Sequence, residues 1–242
     1  MNARRRIRWA AIAGLTLMGV AAGVYFGYHH ALRYSPGFYE QAMAVPVAEQ
    51  QKAGQEFERR VLALHNDMQE RDQWKHVFTA REINGWLAAD LPRKFPELLP
   101  SAIGEPRIAL SPGQLELAFR YDDGRVSTII NLRMDVGVAE TRNTLTVRIR
   151  NARAGWIPIP LTNVLDQISR TAREADLMLR WAQENGDPVA LVTIPLEHEH
   201  QQGREYVLET VDISQGELVI AGRVADKRRQ NGNSGAGESR VE

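Results

Sequence analysis

The sequence predicts an α+β fold, in which a single N-terminal transmembrane helix precedes a long curved antiparallel sheet wrapped on a long amphipathic helix. Three observations carry this prediction. Residues 9–28 form an apolar run without a charge, residues 106–151 alternate apolar and polar side chains with period two, and residues 162–183 repeat apolar side chains at helical spacing.

Four arginines, Arg4, Arg5, Arg6 and Arg8, stand directly before the apolar run. Twenty residues rising about 1.5 Å each cover roughly 30 Å, the hydrocarbon thickness of a bilayer. Basic residues before the run predict a cytoplasmic N-terminus, with the bulk of the chain periplasmic or otherwise extracytoplasmic on the inner membrane. A cleaved signal peptide shares the basic start, but Ala21 and Ala22 lie inside the run rather than at its polar end, which favours a retained anchor. Gly19, Gly23 and Gly27 form two overlapping GxxxG steps, a pattern that lets membrane helices approach closely and points to self-association.

The organisation follows from these breaks: residues 1–33 are a basic tip and anchor, 34–77 a linker and stalk helix, 78–225 the α+β domain, and 226–242 a polar tail. Formal charge is zero, from 30 basic and 30 acidic residues, which gives no support to nucleic-acid binding. The chain has no cysteine, so disulfide frameworks, thiolate nucleophiles, cysteine zinc sites and lipidation at cysteine are excluded together.

Over residues 47–73 the apolar positions Ala53, Phe57, Val61, Leu64 and Met68 mark one helix face, either of a stalk or of a helix packed on the domain's flank. Thr79 and Glu82 then make a capping box, with Phe78 and Ile83 at staple positions. The helix they open carries Ile83, Trp86, Leu87 and Leu91 on one face and is expected to stop at Pro92 and Pro96.

Leu115, Leu117 and Phe119 alternate with polar residues before a turn at Asp122-Asp123-Gly124. The next alternating run, residues 126–138, would span about 40 Å, so the sheet should be long and strongly coiled. Leu145, Val147 and Ile149 give a third strand, and all three runs have one apolar face, as in an antiparallel sheet covered on a single side. After the corner Trp156-Ile157-Pro158-Ile159-Pro160, one helix is expected across the sheet, ended by Asn185-Gly186-Asp187-Pro188. Short strands over 189–195, 206–213 and 217–222 complete the pattern, the last two joined by Ser214-Gln215-Gly216.

No nucleophile, base and oxyanion set, phosphate loop or paired-histidine helix is present, so no catalytic residue is nominated and the chain is expected not to be an enzyme. His198 and His200, alternating with Glu197 and Glu199, would share one side of an extended segment, but nothing nominates a third metal ligand. No metal and no cofactor are expected.

The run Thr79-Ala80-Arg81-Glu82-Ile83-Asn84-Gly85-Trp86-Leu87 resembles the T-x-x-E-I-N-x-x-L opening of YceB-type bacterial envelope lipoproteins. Gly216-Glu217-Leu218-Val219-Ile220 is similar to their closing G-E-L-V-I strand, and the single membrane helix is more similar to the YpmS-type anchored family. The resemblance covers about residues 78–222 and implies a TULIP-like, tubular lipid-binding fold, with room for an acyl chain between helix and sheet. On that expectation the lining is Leu115, Leu117, Phe119, Ile130, Leu132, Met134, Val147, Ile149, Leu165, Ile168, Met178 and Leu179. The alternative is an envelope scaffold acting through the anchor, the Phe57, Val61, Leu64 and Met68 face, or the tail.

Overall fold

A computed structural model describes residues 34–174, 177–194 and 204–226, together with Leu32. Helices α1 (Gly37–Met43) and α2 (Val47–Glu70) lead into strand β1 (Gln73–Thr79), helix α3 (Ala80–Ala89) and the short helix α4 (Leu91–Lys94). Strands β2 (Ile103–Ser111), β3 (Gln114–Asp122), β4 (Ser127–Val138), β5 (Thr144–Ala154) and β6 (Ile157–Pro158) form a meander. Helix α5 (Leu161–Glu174) follows, then the hairpin β7 (Met178–Glu184) and β8 (Asp187–Thr193), then the hairpin β9 (Arg204–Ser214) and β10 (Glu217–Asp226).

The strands make two antiparallel sheets. The larger runs β2-β3-β4-β5-β8-β7 with β6 paired to β5, and the smaller runs β1-β10-β9. The hairpin turns interlock the two: Gly113 N donates to Ile213 O at 2.8 Å, and Gly216 N donates to Leu110 O at 3.0 Å. Where the sheets leave a strand edge open, an asparagine closes it. Asn84 of α3 gives its Nδ2 to Ile108 O at 2.9 Å and takes Ile108 N on Oδ1 at 2.7 Å, and Asn143 does the same for Tyr206 O and Leu208 N of β9. Side-chain amides here supply the pairing that an edge strand lacks.

The capping box forms as expected at Thr79 and Glu82. Helix α2 lies on the flank of the domain: Phe57 packs its ring 5.4 Å from Phe78 and 5.8 Å from Trp86, while Val61 and Leu62 stay exposed. Three expectations are corrected. Pro92 begins a helix, occupying the first turn of α4, because its fixed φ suits a helix start and α3 has already ended at Ala89. Residues 73–79 form a strand, absent from the sequence reading, which pairs with β10. The helix expected over 162–183 stops at Glu174, and Met178 and Leu179 belong to β7 instead. Asn185 and Gly186, with φ of 53° and 90°, form the two-residue hairpin turn that joins β7 to β8; this left-handed pair suits a hairpin and is easily read as a helix stop.

No described helix is long and apolar enough to cross a membrane. The expected anchor over residues 1–33, with Gly19, Gly23 and Gly27, lies outside the described residues except for Leu32, as do Glu197-His198-Glu199-His200 and the tail beyond 226.

Candidate ligand trough

Strand register builds the candidate site row by row. Phe119, Ile130 and Ala154 share one row across the larger sheet; Ile108, Leu117, Leu132 and Ala152 share the next; Leu110, Leu115, Met134 and Ile149 the third. Val136, Val147, Ala190 and Trp181 make the fourth, and Val138, Leu145, Val192 and Leu179 the fifth. Paired residues in antiparallel strands project to the same side, so all five rows line one continuous apolar face.

Two helices and strand β9 of the smaller sheet cover it. Ile83 and Leu87 of α3 pack against a buried cluster of Ile108, Leu110 and Ile213, and Leu115, Leu117 and Val136 of the larger sheet and Leu218 of the smaller pack against the same cluster. Leu115 and Leu117 therefore belong to this core. Helix α5 covers the β5 and β7 side, where the Trp181 indole N–H donates to Ser169 Oγ at 2.7 Å and Ser169 in turn donates to Leu165 O at 2.7 Å. Ala172 of α5 is buried, and Leu165 and Ile168 are half-buried.

The same face carries Phe119, Ile130, Leu132, Met134, Val147, Ile149 and Leu179. Ile149 is only 1% exposed and Leu132 is buried, whereas Phe119, Ile130, Met134, Val147 and Leu179 are half-buried. Met178 is the expected lining residue that the register removes. It projects to the opposite face and is 61% exposed. Trp181 takes its place among the residues on this face; its alternation with Leu179 is the sequence signal that could have found it.

The opposite face is charged and laced by ion pairs: Arg133 with Glu116 at 2.9 Å, Arg150 with Asp135 at 2.6 Å and Asp187 at 2.8 Å, and Arg148 with Glu184. The bond to Arg148 holds the Glu184 carboxyl below the usual carboxylate range. A depression of about 260 Å³ opens there over Gly137, Thr146 and Val189. A second, also about 260 Å³, lies between α1, α2 and α3, beside Phe38, Val45, Gln50 and Arg81. Among the described residues no group of three or more His, Asp or Glu side chains is placed to hold a metal. The turn at Asp122-Asp123-Gly124 is a self-contained loop, with Asp123 Oδ1 accepting from the N–H groups of Arg125 and Val126 at 2.9 and 2.8 Å.

The arrangement offers an extended apolar surface with a polar anchor, the Trp181 and Ser169 pair. No protein-family model, curated protein or solved structure matches this chain.

Proposed function

We propose that the chain is a non-enzymatic, membrane-tethered extracytoplasmic module that binds a lipid or other apolar ligand between α5 and the inner face of the larger sheet, in a TULIP-like arrangement. One observation carries the reading. A continuous five-row apolar face lies beneath two helices and strand β9, yet Phe119, Ile130, Met134, Val147 and Leu179 on it are half-buried rather than buried. A core closed at native density buries such side chains almost completely. Each Å² of apolar surface left in contact with water forgoes roughly 25 cal/mol, which an acyl chain laid along the rows would recover. Segment 1–33, with its arginines before an apolar run, would hold the module at the membrane from which such a ligand comes.

Native mass spectrometry of the full chain, purified gently from its own host and followed by organic extraction, tests this directly. A defined lipid near one-to-one occupancy is expected, together with saturable binding of a fluorescent long-chain fatty acid. Met134→Trp, which enlarges a half-buried side chain in the third row of the apolar face, should abolish that binding while leaving the circular dichroism of the full chain unchanged. A clean unliganded mass with no saturable fatty-acid binding would overturn the reading.

A further inference from the structure

The other face of the larger sheet carries a feature that the trough does not use. Arg107, on β2, is 4% exposed, and a guanidinium stays charged at any ordinary pH. Among the described residues it forms no ion pair, and its hydrogen bond there runs from Nη1 to Pro106 O at 2.8 Å, while Nε is buried without a partner. Tyr39 of α1, which packs against β2, is 5% exposed, and its hydroxyl is likewise buried and unpartnered. The two side chains lie within electrostatic reach of each other and of Glu105, and Tyr39 also of Arg120. Glu105 is already engaged by Arg120 at 3.3 Å, so one positive charge remains in excess. Burial pushes the Tyr39 hydroxyl above its ordinary range, so it stays a proton donor at neutral pH.

Two further features shape this corner. Glu105 sits at a φ of 53°, where β2 bulges between Gly104 and Arg107, and a Cβ built on Gly104 would meet nothing within 4 Å. A notch without a side chain therefore opens on the face that carries Arg120, Gly104's partner in the register. The same end of the sheet receives the chain from the N-terminal segment. Thr128, paired with Tyr121 in the neighbouring strand, donates to Leu32 O at 2.6 Å, and Tyr34 stacks 4.0 Å from Trp156.

We propose that Arg107, Arg120 and the Tyr39 hydroxyl form a binding site for a phosphate group at this end of the sheet, the notch at Gly104 giving access. A buried guanidinium with an idle Nε–H beside an idle hydroxyl supplies charge-assisted donors to a tetrahedral oxyanion, and an uncompensated buried charge is costly until one arrives. The phosphate of a lipid headgroup and free inorganic phosphate share this chemistry. The proposal does not rest on the trough reading, because the site lies on the opposite face and is read out separately from fatty-acid binding.

The test uses the full chain in a neutral detergent, with melting midpoints followed against inorganic phosphate and against a short-chain phosphatidylglycerol, each at ionic strength matched with chloride. A saturable rise is expected, weakened about tenfold by Arg107→Met and about threefold by Tyr39→Phe, the latter removing only a hydroxyl. Saturation by the lipid at lower concentration than by phosphate assigns the site to a headgroup, and equal concentrations assign it to the free anion. The proposal is overturned if neither probe raises the midpoint beyond chloride, or if both variants respond as the wild type does.

Discussion

Helices α3 and α5 cover the same apolar face by different means. Around α3, contact reaches the backbone: Gly85 meets Gly54 of α2, Asn84 takes both polar groups of Ile108, and Ala80 N donates to Gly216 O at 2.8 Å. Each of these is directional or allows no slack, so together they select one geometry. Among its described side chains, helix α5 is tied to the sheet by the Trp181 and Ser169 bond and presents Leu165, Ile168 and Ala172, apolar groups whose contacts have no preferred direction. The contrast separates a rigid frame, where substitutions should cost stability, from an adaptable cover, where they should cost ligand.

The largest effect is expected in the frame. A Cβ on Gly85 would stand 2.6 Å from Ala53 Cβ, 2.6 Å from Gln50 O and 2.7 Å from Gly54 N. Two of those neighbours are backbone, so no rotamer change relieves the clash and the helices must separate. Gly85→Ala should destabilise the protein by about 2–4 kcal/mol in denaturant unfolding, with the folded fraction still binding fatty acid normally. A variant as stable as the wild type would remove the contrast, since α3 would then tolerate displacement as α5 does.

A smaller effect, dependent on pH, is expected at the head of α3. Glu82 is buried at the capping box, where Thr79 N donates to Oε2 at 2.9 Å and Arg60 Nε donates to Oε1 at 2.7 Å. Burial alone would raise its pKa, but the bonds from Thr79 and Arg60 outweigh it and hold the carboxyl below its ordinary value of 4.5. The folded state thus binds this proton more weakly than the unfolded state. The stabilisation is complete above the unfolded value and is lost as pH falls through the lower folded value. Glu82→Gln should cost about 1–2 kcal/mol at pH 7 and flatten the acid limb of the stability profile. An unchanged acid limb in that variant would show that the cap contributes no charge-dependent stability to the frame.

The frame and the cover also differ in how far they were legible in the sequence. The capping box was readable because Thr79 and Glu82 are three residues apart and satisfy each other locally. The apolar face of β3, β4 and β5 was readable because alternation alone assigns a strand's two sides. The split of that face between α3 and α5 was not, since it depends on contacts distant in sequence. Asn84 and Asn143 look like surface residues until tertiary structure brings a strand edge to them. Strand β1 was hidden because it is short, sits between two helical segments and has His76 at its centre. The end of α5 was misread because Ala175, Met178, Leu179 and Ala182 fit a period of 3.6 as well as Leu179 and Trp181 fit a period of two.

That ambiguity gives the smallest and sharpest comparison, between two adjacent residues. In a helix lying on an apolar surface, Met178 and Leu179 would both touch it; in β7 they project to opposite faces. Met178→Gln should change stability by less than about 0.5 kcal/mol and leave fatty-acid binding intact, because the side chain is 61% exposed on the charged face. Leu179→Gln places an amide on the apolar face and should cost about 1–2 kcal/mol while weakening fatty-acid binding. Equal losses at both positions would mean that the segment is helical and that the cover is longer than α5. Unequal losses of stability without any change in binding would keep the strand but confine the ligand to the rows further from β7.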